Sequence, residues 1–162
     1  MAIAGAAGQP RRPWLSISYG TLTVAGLDAL DAILFFGARG VSPTRIFQSI
    51  ASGLLGRRAF SGGLPVAALG ILLHVLVAFG IMGTYYLLSR RFRRLRSQPW
   101  LWGPIHGLAA WTVMNFVVVP LSLVTRAPFT WPVVLNGLLI HGLGVGPASA
   151  WFSREKEAPR SA

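Results

Sequence analysis

Residues 64–88 read LPVAALGILLHVLVAFGIMGTYYLL, a stretch of 25 residues without Asp, Glu, Lys or Arg. An α-helix rises about 1.5 Å per residue, so this stretch is long enough to cross the roughly 30 Å of hydrocarbon in a bilayer. Three further stretches share its length and apolar character, and the four predicted spans are 14–36, 64–88, 101–124 and 131–151. The sequence therefore predicts an all-α polytopic membrane protein, a four-helix transmembrane bundle.

The composition of the whole chain agrees with this fold class. Apolar residues make up 53% of the chain and charged residues 12%, whereas soluble domains carry about 25% charged residues. We predict one membrane domain at 14–152 between short tails at 1–13 and 153–162. The chain has no cysteine, which excludes disulfides, thiolate nucleophiles and zinc–thiolate sites.

The placement of the basic residues that give the chain its net charge of +11 predicts its orientation. Ten of the fifteen Lys and Arg residues lie on the side of the two termini, and an excess of basic residues marks the cytoplasmic side of a membrane protein. Both termini are therefore predicted to be cytoplasmic. Five arginines of the second connection are also predicted to bind anionic lipid headgroups: Arg90, Arg91, Arg93, Arg94 and Arg96. Nucleic-acid binding is not predicted, because the aromatic stacking platforms and folded scaffold that such a patch needs are missing.

The connection between the first two spans predicts an additional helix at about 43–55. Ser42-Pro43 is typical of an N-cap followed by proline at the first helical position. Apolar residues then recur at helical spacing, at Ile46, Phe47, Ile50 and Leu54. Polar residues fall on the other faces, at Thr44, Gln48, Ser49 and Ser52. This pattern indicates an amphipathic helix at the outer membrane interface; a lid over a cavity and a partner-docking helix are the alternatives.

Each span also carries a polar side chain that is costly in lipid and normally faces the bundle interior. The predicted buried polar network consists of Asp28, Asp31, His74, Asn115 and His141. Asp28 is predicted to bond to one of the two histidines, and Asp31 to reach outward to Arg39 or water. His106 is nine residues from Asn115 and so about 180° away on an ideal helix, and it is assigned to the rim. Small residues flank several network positions, and such glycine-rich faces predict close contact with neighbouring helices, a second copy or a membrane partner.

Part of the chain resembles a known family. The stretch from His74-Val75 to Tyr85, the basic turn after it, Trp102-Gly103, Pro120-Leu121 and the position of His141 resemble the YagU-type bacterial inner-membrane proteins. The resemblance covers mainly the second and third spans. It implies a helical bundle in the bacterial inner (cytoplasmic) membrane and no particular activity. The pair Asp28 and Asp31 is not part of the matched pattern.

The sequence predicts an integral membrane protein whose polar network is structural and fixes how the helices pack in a structural or interaction component. Two alternatives stay open. The network can pass protons or a small cation, because carboxylates and imidazoles at mid-depth are the material of relays. It can also hold haem or a divalent metal through His74 and His141. An enzyme is not predicted, because no serine or threonine stands in a recognisable nucleophile motif.

Overall fold

The structure, a computed structural model, describes residues 13–124 and 130–154. Within them the chain forms six helices: α1 (Pro13–Gly37), α2 (Pro43–Leu55), α3 (Gly63–Arg91), α4 (Arg93–Ser97), α5 (Pro99–Leu121) and α6 (Trp131–Ser153). A 3₁₀ turn, Gly56–Ser61, joins α2 to α3. The predicted tails lie almost wholly outside the described residues.

Four of these helices, α1, α3, α5 and α6, are long and apolar enough to cross a membrane, which confirms the predicted fold class. Helix α5 ends at Leu121, three residues before the predicted end of the third span. The last residues of the predicted span leave the helix and pair with α2. Ser122 is extended, and the Leu123 N–H donates to the carbonyl of Gly53 in α2 at 3.0 Å. Pairing with α2 thus replaces the last turn of α5.

The bundle has two ends, which we name by what they carry. The α2 end holds α2 and the connection from α1 to α3, and the basic end holds α4 and its flanking arginines. Helix α1 packs against both α3 and α6, around a small core of Val24, Ala25, Ala78 and Val145. Helix α5 packs chiefly along the half of α6 nearest the basic end and contacts α3 at few points. The bundle is therefore tight at the basic end and looser toward the α2 end.

Both α5 and α6 contain a π turn directly before a proline. The turn Met114–Val118 precedes Pro120, and the turn His141–Val145 precedes Pro147. Proline has no N–H and its ring collides with the carbonyl four residues earlier, so widening the preceding turn relieves the collision. A π turn thus accommodates Pro120 in α5, and His141 lies at the start of the π turn in α6.

Helices α5 and α6 meet backbone to backbone at three glycines. A Cβ atom at Gly107 would overlap the carbonyl of His141, and one at Gly146 would overlap the carbonyl of Gly103. Only glycine allows this approach, which is the usual means of close helix packing in lipid. The contact fixes the height of His141 relative to α5.

Helix α2 begins and ends where the sequence predicts, with the Ser42 hydroxyl accepting from the Arg45 N–H at 3.3 Å. Its buried face is only partly the predicted one: Ile46 is buried, but so are Gln48 and Ser52, whereas Leu54 is 59% exposed. The reason is that α2 packs on the polar backbone at the start of α3, where Gln48 Nε2 donates to the Gly63 carbonyl at 3.0 Å. The Phe47 carbonyl also lies directly against Gly70.

Candidate functional site

A cavity of about 300 Å³ lies between the spanning helices in the half of the bundle nearer α2. Helices α1, α3, α5 and α6 form its walls, and Ile50 of α2 contributes from the end. Six polar side chains line it: Asp28, Asp31, His74, Asn115, Asn136 and His141. All five predicted network residues are therefore brought to one cavity, together with Asn136, which the sequence analysis missed.

Asp28 lies between two imidazoles. Its Oδ2 is 3.9 Å from His74 Nδ1, and its Oδ1 is 3.9 Å from His141 Nδ1. Both distances exceed the roughly 3.2 Å limit of an N–H···O hydrogen bond, so the predicted bond from Asp28 to a histidine is not formed. The Asp28 side chain is 30% exposed, against 13% and 14% for the histidines. The cluster of Asp28, His74 and His141, here called the Asp28 cluster, is therefore open to the cavity and is not the buried network that was predicted.

The backbone contacts of the two histidines define their tautomers. His74 Nε2 lies 2.9 Å from the carbonyl of Ala25, and because a carbonyl only accepts, Nε2 carries the hydrogen. In a neutral imidazole, Nδ1 is then a lone pair that faces a carboxylate oxygen. His141 differs, because its Nδ1 lies 3.0 Å from the Gly137 carbonyl and itself carries the hydrogen. The hydrogen on His141 Nδ1 is donated to Gly137, so of the two imidazoles only His74 turns a lone pair toward the ionised carboxylate.

Asp31 has a direct partner. Asn136 Nδ2 donates to Asp31 Oδ2 at 2.6 Å, which joins α1 to α6. The predicted approach of Asp31 to Arg39 is wrong, since the Arg39 guanidinium donates to the Phe35 carbonyl and stacks over the Phe35 ring. The sequence signal that could have identified Asn136 as a cavity residue is its amide side chain within an apolar span. It was missed because Asn136 does not fall on the ideal-helix face that contains His141.

His106 and Asn115 both face the bundle. His106 Nε2 lies 3.1 Å from the Ile81 carbonyl of α3, and its ring packs edge-on against Tyr85, so its predicted place at the rim is wrong. Asn115 lines the cavity as predicted, while its Nδ2 donates to the Trp111 carbonyl in its own helix. The two positions do not exclude each other, because α5 has α3 on one side and the cavity with α6 on another.

The geometry of the Asp28 cluster bears on the predicted haem or metal site. In the part of the chain that the structure describes, no group of three His, Cys, Asp or Glu side chains is arranged to hold a metal ion. His74 and His141 each direct one ring nitrogen at a backbone carbonyl, and the Asp28 carboxylate lies 3.9 Å from each ring. The second nitrogen of each ring, Nδ1 of His74 and Nε2 of His141, makes no such contact with a described residue, and a histidine that ligates a metal commonly holds a carbonyl with its other nitrogen. Haem or metal binding by His74 and His141 therefore stays a prediction.

The predicted headgroup-binding arginines surround α4 at the basic end. Arg90 Nη2 donates to the Tyr86 hydroxyl at 2.8 Å, and the Arg91 guanidinium lies over the Phe92 ring. Arg93 and Arg94 are exposed and Arg96 is partly buried. The Tyr85 hydroxyl donates to the Leu95 carbonyl at 2.9 Å and anchors α4 to α3. The arginines thus lie at one end of the bundle, on and beside a short helix that a hydrogen bond holds to α3.

Comparison of the chain with protein-family models, with curated proteins and with solved structures found no match. The resemblance to YagU-type proteins therefore stays a prediction.

Proposed function

We propose that this protein binds protons, or a small monovalent cation, at the Asp28 cluster and passes them through the membrane. The observation that carries the proposal is the Asp28 carboxylate, which faces the cavity between two imidazoles and accepts no hydrogen bond from any described residue. A charged group at the centre of a bilayer costs about 2.5–3.5 kcal/mol on insertion scales. A carboxylate left without a hydrogen bond at such a depth is better explained by a bound cation or proton than by packing.

The gap between Asp28 and His74 supports a proton in particular. His74 presents a lone pair to a carboxylate oxygen, so the pair is stabilised when one proton joins it, on either partner. His141 Nδ1 lies 3.9 Å from the second oxygen of the same carboxylate, while its hydrogen is donated to the Gly137 carbonyl. Imidazole is the side chain that exchanges protons near neutral pH. The cluster therefore combines a proton acceptor, Asp28, with two proton carriers, His74 and His141, on three separate helices.

A structural role is the second candidate, and two contacts favour it. His74 Nε2 joins α3 to the Ala25 carbonyl of α1, and Asn136 joins α6 to Asp31 of α1. Contacts of this kind are worth about 0.6 kcal/mol on average in membrane bundles. They account for Asp31 and for one face of His74, but they leave Asp28 unexplained.

The membrane and the orientation belong to the same proposal. We infer that the protein lies in a bacterial inner membrane with the basic end on the cytoplasmic side, where its arginines meet anionic headgroups. The support is the position of ten of the fifteen basic residues on this side and the arginine-rich α4 segment. The proton path would then connect a cytoplasmic basic end with an α2 end on the opposite side.

Proton flux into vesicles tests the proposal. Purified protein is reconstituted with an internal pH dye, and a potassium diffusion potential drives protons inward. Wild type should acidify the vesicles faster than empty vesicles do. Asp28→Asn should abolish the excess rate, because the amide cannot exchange a proton, whereas the matched control Asp31→Asn should keep most of it.

The same variants separate transport from packing. Asp28→Asn should unfold in detergent within a few degrees of wild type, because Asp28 has no described hydrogen bond to lose. Wild-type flux equal to that of empty vesicles, or equal flux in Asp28→Asn and wild type, would overturn the proposal.

A further inference from the structure

The cavity is larger than a proton path requires. Its volume of about 300 Å³ is room for on the order of ten water-sized groups, and it reaches the lower end of the range of small-molecule sites. A relay of protons between Asp28 and the histidines needs only a gap the width of one hydrogen bond. The remaining space is available to a solute.

The charge of the lining favours a cation. Both carboxylates of the described chain, Asp28 and Asp31, line the cavity, and none of the described arginines does. Asp31 already accepts from Asn136, so Asp28 is the carboxylate that a ligand can use. An anionic solute would meet a carboxylate without a compensating positive side chain.

The remainder of the lining favours an organic cation over a metal ion. Trp111, Phe36 and Met114, with several aliphatic residues, form most of the wall. A bare metal cation needs several oxygen ligands at once, and the described residues contain no suitable group of three His, Cys, Asp or Glu side chains. Aromatic and aliphatic walls instead suit an apolar body, and aromatic faces also attract ammonium groups.

The Asp28 cluster offers the right acceptors for an ammonium group. Asp28 Oδ2 and the His74 Nδ1 lone pair face each other across 3.9 Å. An ammonium N–H can donate to each, and its positive charge stands beside the place where a proton would otherwise lie. The apolar body then extends along the wall of Trp111 and Phe36 toward Ile50 of α2.

From these observations we propose that the cavity binds a small primary or secondary ammonium ion with a compact apolar or aromatic body, whose nitrogen lies beside the gap and donates to both Asp28 and His74. This deepens the proposed function and rests on it, because the ammonium ion uses the same two acceptors as the transported proton.

Binding of matched probes to the purified full-length protein tests the proposal. Titration calorimetry compares phenethylammonium with the neutral 2-phenylethanol and the anionic 3-phenylpropionate, which have similar bodies and different charges. Phenethylammonium should bind saturably, and the other two should bind at least tenfold more weakly. Asp28→Asn should lose at least tenfold in affinity and Asp28→Glu should retain part of it, whereas Thr84→Val, at an exposed position of α3 outside the cavity, should stay close to wild type.

The outcomes distinguish this inference from the proposed function. Equal binding of the alcohol and the ammonium ion, or unchanged binding in a folded Asp28→Asn protein, would overturn the ammonium site. Proton flux without binding of phenethylammonium would overturn the site and leave the proposed function in place. Binding of phenethylammonium without any flux would support the site and overturn transport.

Discussion

Gly80 in α3 and Gly107 in α5 are both glycines of spanning helices, but one has open space around it and the other is tightly packed. A Cβ atom at Gly80 would meet nothing within 4 Å, whereas one at Gly107 would overlap the His141 carbonyl. The obstacle at Gly107 is backbone, which cannot rotate away as a side chain can. Gly107 thereby determines how closely α5 approaches the π turn that starts at His141.

Replacing these glycines by alanine should separate the two roles. Gly107→Ala is expected to destabilise the bundle by about 1–3 kcal/mol, the usual cost of overpacking. Gly80→Ala should be neutral or slightly stabilising, because alanine favours a helix by about 1 kcal/mol over glycine. Thermal unfolding in detergent measures both. Equal unfolding temperatures for the two variants would contradict the described packing of α5 on α6.

For single residues, the sequence predicts which polar side chains lie inside the bundle, but not the groups with which they form hydrogen bonds. Asp28, His74 and His141 stand out because each interrupts an apolar run, and an ideal helix places them inward. The partner of Asp31 depends on where Asn136 lies around α6, and a helix that contains a π turn does not follow the ideal period. His106 was misplaced because its acceptor, the Ile81 carbonyl, is a backbone group that no sequence pattern marks.

Helix α2 is the element whose buried side chains differ most from expectation. It covers the end of the cavity through Ile50, places the Phe47 ring 6.4 Å from the His74 ring and accepts the Leu123 N–H at Gly53. Its bounds follow from Ser42, Pro43 and Gly56, which are local signals. Its inward face does not, because the polar backbone of α3 selects Gln48 over Leu54.

A cross-link tests the position of α2. A Cβ atom built at Gly53 lies 3.8 Å from Ser122 Cβ, the mean separation of about 3.8 Å in disulfides, and the chain has no native cysteine. The pair Gly53→Cys and Ser122→Cys should therefore oxidise readily, as counted by maleimide–polyethylene glycol labelling before and after reduction. In the proposed transporter, oxidation should also slow proton flux reversibly, because α2 is then fixed over the cavity.

The control pair for this cross-link combines Leu54→Cys with Ser122→Cys. Leu54 is 59% exposed and lies one residue further along the helix, so its pair should form slowly. Similar rates for the two pairs would show that α2 does not hold the described position against the end of α5.

For the whole molecule, the cavity results from unequal packing of the four spanning helices. Glycine contacts hold α5 to α6 near the basic end, while α3 and α5 touch little and leave space beside His74 and Asn115. Length and hydropathy predict the four spanning helices, each bound to within three residues, but not the short helix α4. They do not predict the cavity, because it depends on relative tilt, and tilt is determined by a few backbone contacts.

Orientation in the membrane is the whole-molecule property that the charges predict. Ser61 in the 3₁₀ turn at the α2 end and Ser97 at the end of α4 are both exposed serines, one at each end of the bundle. Since the basic end should be cytoplasmic, an impermeant maleimide should label Ser61→Cys in intact bacterial cells. Ser97→Cys should be labelled only after the membrane is permeabilised. Labelling of Ser97→Cys alone would reverse the orientation and the direction of the proposed path, whereas labelling of both in intact cells would contradict a bundle that separates its two ends.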